Sequence, residues 1–458
     1  IKGVFEIASC QLQTHSRGEA PERDECRKNS GSADCRRADL FSEREAGQRQ
    51  VKKGYSYMSR SNNTGVRTRK RIIGYYDYNL LACLILLLSF GLIVLYSASA
   101  YEAYASANIS DNMYFFRHQL RNSAIALIWA VLLSKISYHF MARFAGALYA
   151  AGFVLMALVQ SPLGVEELGA RRWLRIGPIQ FQPSEVAKIG VIVFLPMVLL
   201  KMGKKYKSWK GQLLILSMGA LQAVGAWKLT ENLSTGIIIF LITVVIWLIS
   251  YPDIKKYLIF GGGIAVAGVG ILLYLKDHLN LLESEDGGFR IQRIYEWLSG
   301  GSYQIHQGLY AIGSGGFFGK GLGNSTQKLG TIPEAQNDMI FSIVCEELGV
   351  FGAILLLLMF GYLLYRLFMI AQNAPDLYGT LVVTGVFAHI AIQVILNLLV
   401  VLNLMPATGI TLPFISYGGT SMMFLMTELG IALSVANSIR FKETVVVQEH
   451  EKNVLTNV

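Results

Sequence analysis

The chain has 458 residues, is 53% hydrophobic and 16% charged, and its 41 Lys and Arg against 31 Asp and Glu leave a net charge of +10. A soluble domain carries about 25% charged residues, so most of this chain faces lipid rather than water. A nucleic-acid-binding role is excluded, because no basic residues interleave with exposed aromatics in a soluble domain.

Residues 1–57 stand apart from the rest. They are polar and mixed in charge, begin at Ile1, and hold Cys10, Cys26 and Cys35, three of the five cysteines. Those spacings match no zinc pattern, and no apolar core of a signal peptide is present. The expectation is that Met58 opens the protein and the preceding segment is an upstream translation artefact; a disordered cytoplasmic tail is the alternative. Residues 58–77 form a basic segment with Arg67, Arg69, Lys70 and Arg71.

From residue 78 onward, apolar runs of about 17–25 residues recur, the length that crosses a hydrocarbon core. They predict an all-α polytopic membrane protein of ten transmembrane helices, near 78–98, 122–137, 143–161, 184–201, 211–228, 233–250, 257–275, 339–368, 379–402 and 418–438. The membrane domain is therefore 78–440, with a tail at 441–458. Lys228, Glu231 and Asn232 mark the short polar break between the fifth and sixth runs. The first run also serves as the targeting signal.

Lysine and arginine in the short loops set the orientation. Lys201, Lys204, Lys205, Lys207 and Lys210 follow the fourth run, Lys255 and Lys256 the sixth, Arg366 ends the eighth, and Arg440 and Lys442 follow the tenth. With ten spans all lie on one side, together with the basic segment before residue 78, so both termini are expected to be cytoplasmic. The loops near 99–121, 162–183, 229–232, 276–338 and 403–417 then lie outside. The loop at 276–338, roughly sixty residues, far exceeds an ordinary helix connection. Its aromatic and glycine content argues for function.

Cys83 and Cys345 fall inside apolar runs, where cysteine is a small hydrophobe, and no disulfide framework follows. The seven histidines show no ligand spacing, so no zinc site is expected. Asn108-Ile109-Ser110 and Asn324-Ser325-Thr326 match the glycosylation sequon, which carries no weight without a eukaryotic context.

Gly313-Ser314-Gly315-Gly316-Phe317-Phe318-Gly319-Lys320-Gly321 is not a nucleotide loop. Ser314 stands where glycine is required and Gly321 where Ser or Thr must follow the lysine. Its glycines suit tight turns and close backbone approach, with anion binding through backbone N–H groups as the alternative. Asp338 stands where the eighth run begins. It is well placed as a helix N-cap. Glu334, Gln336 and Asn337 beside it, and Lys320 and Lys328 in the same loop, instead suit a general base. Glu346 and Glu347 lie two helical turns below it, and a membrane-buried acid costs about 2.5–3.5 kcal/mol or more, so they must face a polar interior. Glu185 and Lys188, three apart, share a helix face and can pair; Gln393 and Asn397 share another. Arg171-Arg172-Trp173-Leu174-Arg175 sets three guanidiniums at the outer surface, chemistry that fits phosphate or lipid headgroups.

These residues resemble a known family, the SEDS (shape, elongation, division and sporulation) proteins. The early block is Ala170-Arg171-Arg172-Trp173 and Gln182-Pro183-Ser184-Glu185 with Lys188. The central block is Gly321-Leu322-Gly323-Asn324-Ser325 with Gln327-Lys328, Pro333-Glu334, Asn337-Asp338 and Glu346-Glu347-Leu348-Gly349. The last is Pro406, Thr408-Gly409, Leu412-Pro413-Phe414 and Ser416-Tyr417-Gly418-Gly419. The resemblance implies a ten-helix glycosyltransferase of the bacterial cytoplasmic membrane. Such an enzyme polymerises lipid II into peptidoglycan at the outer face with a class B penicillin-binding protein, among the divisome proteins if the role is division. The family's essential aspartate maps onto Asp338. One block departs: Thr230-Glu231-Asn232-Leu233-Ser234-Thr235 stands where the family often has Gln-Pro-Asp-Leu-Gly-Thr, so no catalytic role is carried over there.

On this reading Asp338 takes the proton of a sugar hydroxyl, worth about 10²–10⁴-fold. Arg171, Arg172, Arg175 or Lys188 holds the departing diphosphate, with or without a divalent cation (Mg2+ or Mn2+). Glu185, Lys328, Glu334, Asn337, Glu347 and Ser416, within the same blocks, complete the expected substrate-binding set. A lipid II flippase is the rival, although no internal repeat of a carrier is visible; a scaffold without catalysis is the third reading. Gly323-Asn324-Ser325 with Gln327-Lys328 looks more like the division (FtsW-type) branch than the elongation (RodA-type) branch or a sporulation paralogue.

Overall fold

The computed structural model describes residues 66–74, 76–105, 113–167, 169–177, 179–250 and 288–448, with scattered positions between 261 and 274. The expected extension at 1–57, the Asn108 sequon, Lys255 and Lys256, most of the seventh apolar run and the end of the tail lie outside the described residues.

Most of the described chain is helical. The helices are α1 (Tyr78–Ala105), α2 (Tyr114–Ser134), α3 (Tyr138–Arg143), α4 (Ala145–Leu158), α5 (Pro183–Met202), α6 (Trp209–Leu229) and α7 (Leu233–Ser250). They continue with α8 (Gly288–Leu298), α9 (Tyr303–Ser314), α10 (Ile340–Asn373), α11 (Leu377–Val401) and α12 (Ser421–Asn437). Six helical stretches among the described residues, within α1, α5, α6, α7, α10 and α11, are long and apolar enough to cross a membrane. Exposed Ile85, Leu86 and Ile93 on α1 and Ile354 and Leu358 on α10 leave faces that only lipid covers well.

Polar residues at the run boundaries start these helices. Asp77 accepts from Leu80 N at 3.0 Å, Ser208 from Gly211 N at 3.2 Å and Asp376 from Gly379 N at 2.8 Å, which satisfies first-turn donors. Pro183 opens α5, where a missing N–H costs nothing. The break between the fifth and sixth runs is real: Asn232 Oδ1 accepts from Thr235 N at 3.0 Å, and Glu231 turns the chain at φ 50°.

The all-α expectation missed a small sheet. Strands β2 (Gly164–Glu167), β3 (Ala170–Ile176) and β4 (Ile179–Phe181) form an antiparallel meander in the loop before α5. Ala170 and Leu174 of β3 point inward while Arg171 and Arg175 are exposed, so alternation over a short segment was the available signal. In a second, separate unit, β1 (Val66–Gly74) pairs antiparallel with β5 (Arg440–Gln448), Arg69 opposite Val445.

At 34 residues, or about 51 Å, α10 is longer than a bilayer core. It is broken at Gly349, whose φ of 67° is not helical. The break frees backbone groups, and the glycine-rich stretch before it takes them. Lys320 N and Gly321 N each donate at 2.9 Å, to Glu346 O and Glu347 O, while Val350 N and Phe351 N donate to Gly316 O and Phe317 O at 3.0 and 3.1 Å. A Cβ at Gly315 would stand 2.0 Å from Cys345 O, and one at Gly349 2.4 Å from Gly319 N. Close backbone approach is therefore what these glycines serve.

Two cross-helix contacts define the ends of the bundle. Arg366 Nη2 meets Asp77 Oδ2 at 2.7 Å. About 20 residues away along the same two helices, Ser97 Oγ donates to Glu347 Oε1 at 2.6 Å. That spacing is ~30 Å of helix, one hydrocarbon thickness. At the Asp77 end, His139 meets Asp376 at 2.7 Å and Asn437 bonds Ser134 O at 2.8 Å. At the opposite end, Ser234 Oγ donates to Thr408 O at 3.0 Å and Thr420 Oγ1 to Gln180 O at 3.1 Å.

Candidate functional site

Three chain segments converge on Asp338: the turn before α10, the 406–417 loop and the α8–α9 pair. Asn397 of α11 donates from Nδ2 to Asp338 O at 2.8 Å and Ile410 O at 2.7 Å. Gln393, one turn earlier, donates to Thr411 O at 3.0 Å. Ser416 Oγ donates to Asn337 O at 2.6 Å and accepts from Leu412 N at 2.8 Å, and Tyr417 N donates to Gln336 O at 2.9 Å. The last sequence block thus builds the shelf beneath Asp338.

Asp338 does not start α10 as a cap, since Met339 occupies that position and no side chain caps the helix. Its side chain is half-buried, and Gln304 Nε2 lies 3.4 Å from Oδ1. Burial pushes its carboxyl up to about 6, and the Glu334 carboxylate adds to this; its own and the Met339 N–H, with the Arg293 guanidinium, pull the other way. Glu334 sits at φ 50° with Asn337 Nδ2 bonded to its Oε2 at 2.9 Å. A left-handed non-glycine residue stores about 1–3 kcal/mol and clusters at functional sites.

The cation whose charge acts on Asp338 differs from the sequence expectation. Lys320 and Lys328 are engaged one helical level lower. Lys320 Nζ meets Glu346 Oε1 at 2.6 Å, and Lys328 Nζ meets Glu347 Oε1 and Ser97 Oγ, both at 2.7 Å. The charge of Arg293 of α8 acts on the Asp338 carboxyl instead, its Nη1 donating to Ala407 O at 3.1 Å. Arg293 lies beside Trp297, Ser302 and Asn403. Sequence reasoning missed it. The available signal was an amphipathic repeat in α8, with Arg293 and Trp297 four apart.

The expected site residues fall into four clusters. Asp338, Glu334, Asn337 and Ser416 form the first. Lys328 and Glu347 form the second and are buried at 7% and 1% exposure, so neither presents its charge to solvent. Glu185 and Lys188 pair at 2.8 Å inside the bundle, where Lys188 Nζ also touches His389 Nε2 at 3.0 Å. Arg171, Arg172 and Arg175 lie on β3, with Arg171 near Glu166 at 3.6 Å, its N–H on Glu231 Oε2 at 3.2 Å, and Arg175 bonded to Gln180 Oε1 at 2.8 Å. Among the described residues no group of three or more His, Cys, Asp or Glu could hold a metal ion.

This arrangement can take a proton from a hydroxyl group approaching Asp338, with a guanidinium alongside. A family model described as cell cycle protein, covering FtsW, RodA and SpoVE, matches residues 77–440. Stage V sporulation protein E of Bacillus subtilis is 36% identical over 80% of this chain and 98% of its own length. A probable peptidoglycan glycosyltransferase FtsW of Trichlorobacter lovleyi is 32% identical over 80% and 94%. Among solved structures, a chain from a peptidoglycan synthase complex that coordinates polymerization and crosslinking superposes with a TM-score of 0.65 at 26% identity, covering 79% of this chain and 98% of that one. The rod shape determining protein RodA of Thermus thermophilus gives 0.57 at 28%, covering 80% and 97%.

Proposed function

The chain belongs to the FtsW, RodA and SpoVE family of cell cycle proteins, and from that premise we propose that it joins lipid II units into glycan strands at the outer face of the bacterial cytoplasmic membrane. It is a multi-pass membrane protein and a peptidoglycan glycosyltransferase. In the proposed step the 4-hydroxyl oxygen of one lipid-linked sugar attacks the anomeric carbon of another. The proton passes to Asp338, the bond from that carbon to the diphosphate oxygen breaks, and the lipid diphosphate leaves as an anion. Direct displacement of this kind inverts the anomeric centre.

A diphosphate leaves without a proton donor but needs positive charge. Arg293 beside Asp338 and the exposed Arg171 and Arg175 of β3 are suited to supply it. Burial holds the Arg293 guanidinium below its ordinary value, while Asp338 and Glu296 raise it, and an arginine stays charged.

The topology we propose has ten spans. Among the described residues α7 ends at Ser250, where Tyr206 Oη donates to Ser250 O at 2.9 Å near the Asp77 end, and Trp297 Nε1 bonds Asn403 O at 3.1 Å at the other, which supports that count. The Asp77 end gathers Lys201, Lys204, Lys205 and Lys207 and is the cytoplasmic one by the positive-inside rule. The partner we propose is a class B penicillin-binding protein, and the role is septal, within the divisome.

One observation carries the reading: Asp338 is a half-buried carboxylate at the end opposite Lys201, Lys204, Lys205 and Lys207, with one long side-chain contact to Gln304. Purified chain with its partner, given lipid II, should polymerise it, and Asp338→Asn should not. Translocation of lipid II without polymer would establish the carrier instead.

A further inference from the structure

Asp338 is gripped through its main chain, and the grip can be followed down α11. Asn397 is fully buried, and both of its amide hydrogens go to carbonyl oxygens, Asp338 O and Ile410 O. The partners therefore fix its orientation. Gln393, four residues earlier, holds Thr411 O. Four residues earlier again stands His389, also fully buried. Positions 389, 393 and 397 share one face of the helix.

At His389 the neighbours fix the proton. The Lys188 ammonium has only hydrogens to offer, so Nε2, 3.0 Å away, accepts. Nδ1 then carries the ring proton and donates to Glu428 Oε2 at 2.7 Å. Lys188 is held from its other side by Glu185 at 2.8 Å. Helices α5 and α12 thus clasp α11 at a single buried ring. A 20° turn of α11 would carry an atom about 5–6 Å from its axis through about 2 Å, enough to break both Asn397 bonds.

We infer that Asn397 is a positioning residue for Asp338, and that the buried His389–Glu428 pair, with Lys188 and Glu185, sets the rotation and height of α11 that hold it there. This rests on Asp338 being the base. A displacement near 1 Å at the reacting atoms costs on the order of 10²-fold, so a rigid support is worth its buried charges.

The experiment uses the full chain with its partner and lipid II as substrate, comparing wild type, Asp338→Asn, Asn397→Ala, Asn397→Asp and Glu428→Gln between pH 5 and 8, with melting midpoints alongside. Loss of the Asn397 donor should lower kcat about 30–100-fold and leave KM within about threefold. Glu428→Gln, acting two turns away, should lower kcat about 3–10-fold. In Asn397→Ala and Glu428→Gln the acid limb should move down from about 6, because a loosened Asp338 gains water, whereas the carboxylate added by Asn397→Asp should push it up. A merely structural role would reduce the folded fraction without moving that limb. If Asn397→Ala does not fold, the isosteric Asn397→Asp, which lacks the donor, decides. Wild-type kcat and an unmoved limb in the Asn397 variants, with Asp338→Asn inactive, overturn this inference alone. Polymerisation by Asp338→Asn at the wild-type rate overturns the base assignment and the inference together.

Discussion

The turn into α10 and the first turns of that helix both carry carboxylates, and the two are bonded in opposite ways. Glu346 is fully buried and accepts from Lys320 Nζ at 2.6 Å, Thr326 Oγ1 at 3.0 Å, Thr326 N at 3.2 Å, Gln327 N at 3.3 Å and the Ser325 hydroxyl. Glu347 takes Ser97 at 2.6 Å and Lys328 at 2.7 Å. Asp338 has only Gln304 at 3.4 Å among the described side-chain donors, beside its own and the Met339 N–H. A carboxylate whose lone pairs are filled by fixed donors has nothing left for a substrate proton. The buried pair holds the loop onto the helix through side-chain donors, while Asp338 is met by main-chain N–H groups and a single long side-chain contact.

The contrast is broken most directly at Asp338. Asp338→Asn should cost about 10²–10⁴-fold in polymerisation rate without lowering the melting midpoint, read from lipid II turnover and a thermal scan of the same preparation. Lys328→Met should do the reverse. It leaves Glu347 buried without its cation, a loss of about 3–5 kcal/mol, seen as poor accumulation and an early melt, while turnover per folded molecule changes little. Gly349→Ala should follow, at about 1–3 kcal/mol for a positive-φ extended conformation confined essentially to glycine and more because its Cβ would stand 2.4 Å from Phe317 O.

Acidity sharpens the same distinction. With the Asp338 carboxyl near 6, the proton-accepting form dominates above that pH, so kcat/KM should fall about tenfold per unit below it and level off above about 7. The stability effect has the opposite sense. A carboxyl raised in the folded state favours folding below its unfolded value near 3.9, and this contribution is lost as pH rises through 6. Asp338→Asn should therefore melt higher than wild type at pH 8 and match it at pH 4.

The helices were legible because apolar runs and polar boundaries are local properties. The Lys228–Asn232 break was readable for the same reason: one asparagine and one strained glutamate end two runs. Gln393 and Asn397 announced a shared face by their spacing, yet not what that face holds. Other features were out of reach. Lys328 and Glu347 lie 19 residues apart, on a loop and a helix, and no periodicity links such positions. Nor does sequence say that Lys320 turns toward Glu346 rather than Asp338, a choice made when the loop docks at the Gly349 break. Arg293 left only the amphipathic repeat of α8 as a trace, because its partner, Ala407 O, is a backbone atom that no side-chain pattern announces.

The docking of the glycine-rich stretch onto the interrupted helix also governs which changes in length the protein tolerates. Four main-chain bonds run in register between 316–321 and 346–351, so deleting one residue there would misalign all of them at once. A residue added near 322–324, where Leu322 is exposed, would bulge outward and leave that register intact. Variation in loop size should therefore accumulate beyond Gly321 and be almost absent before it.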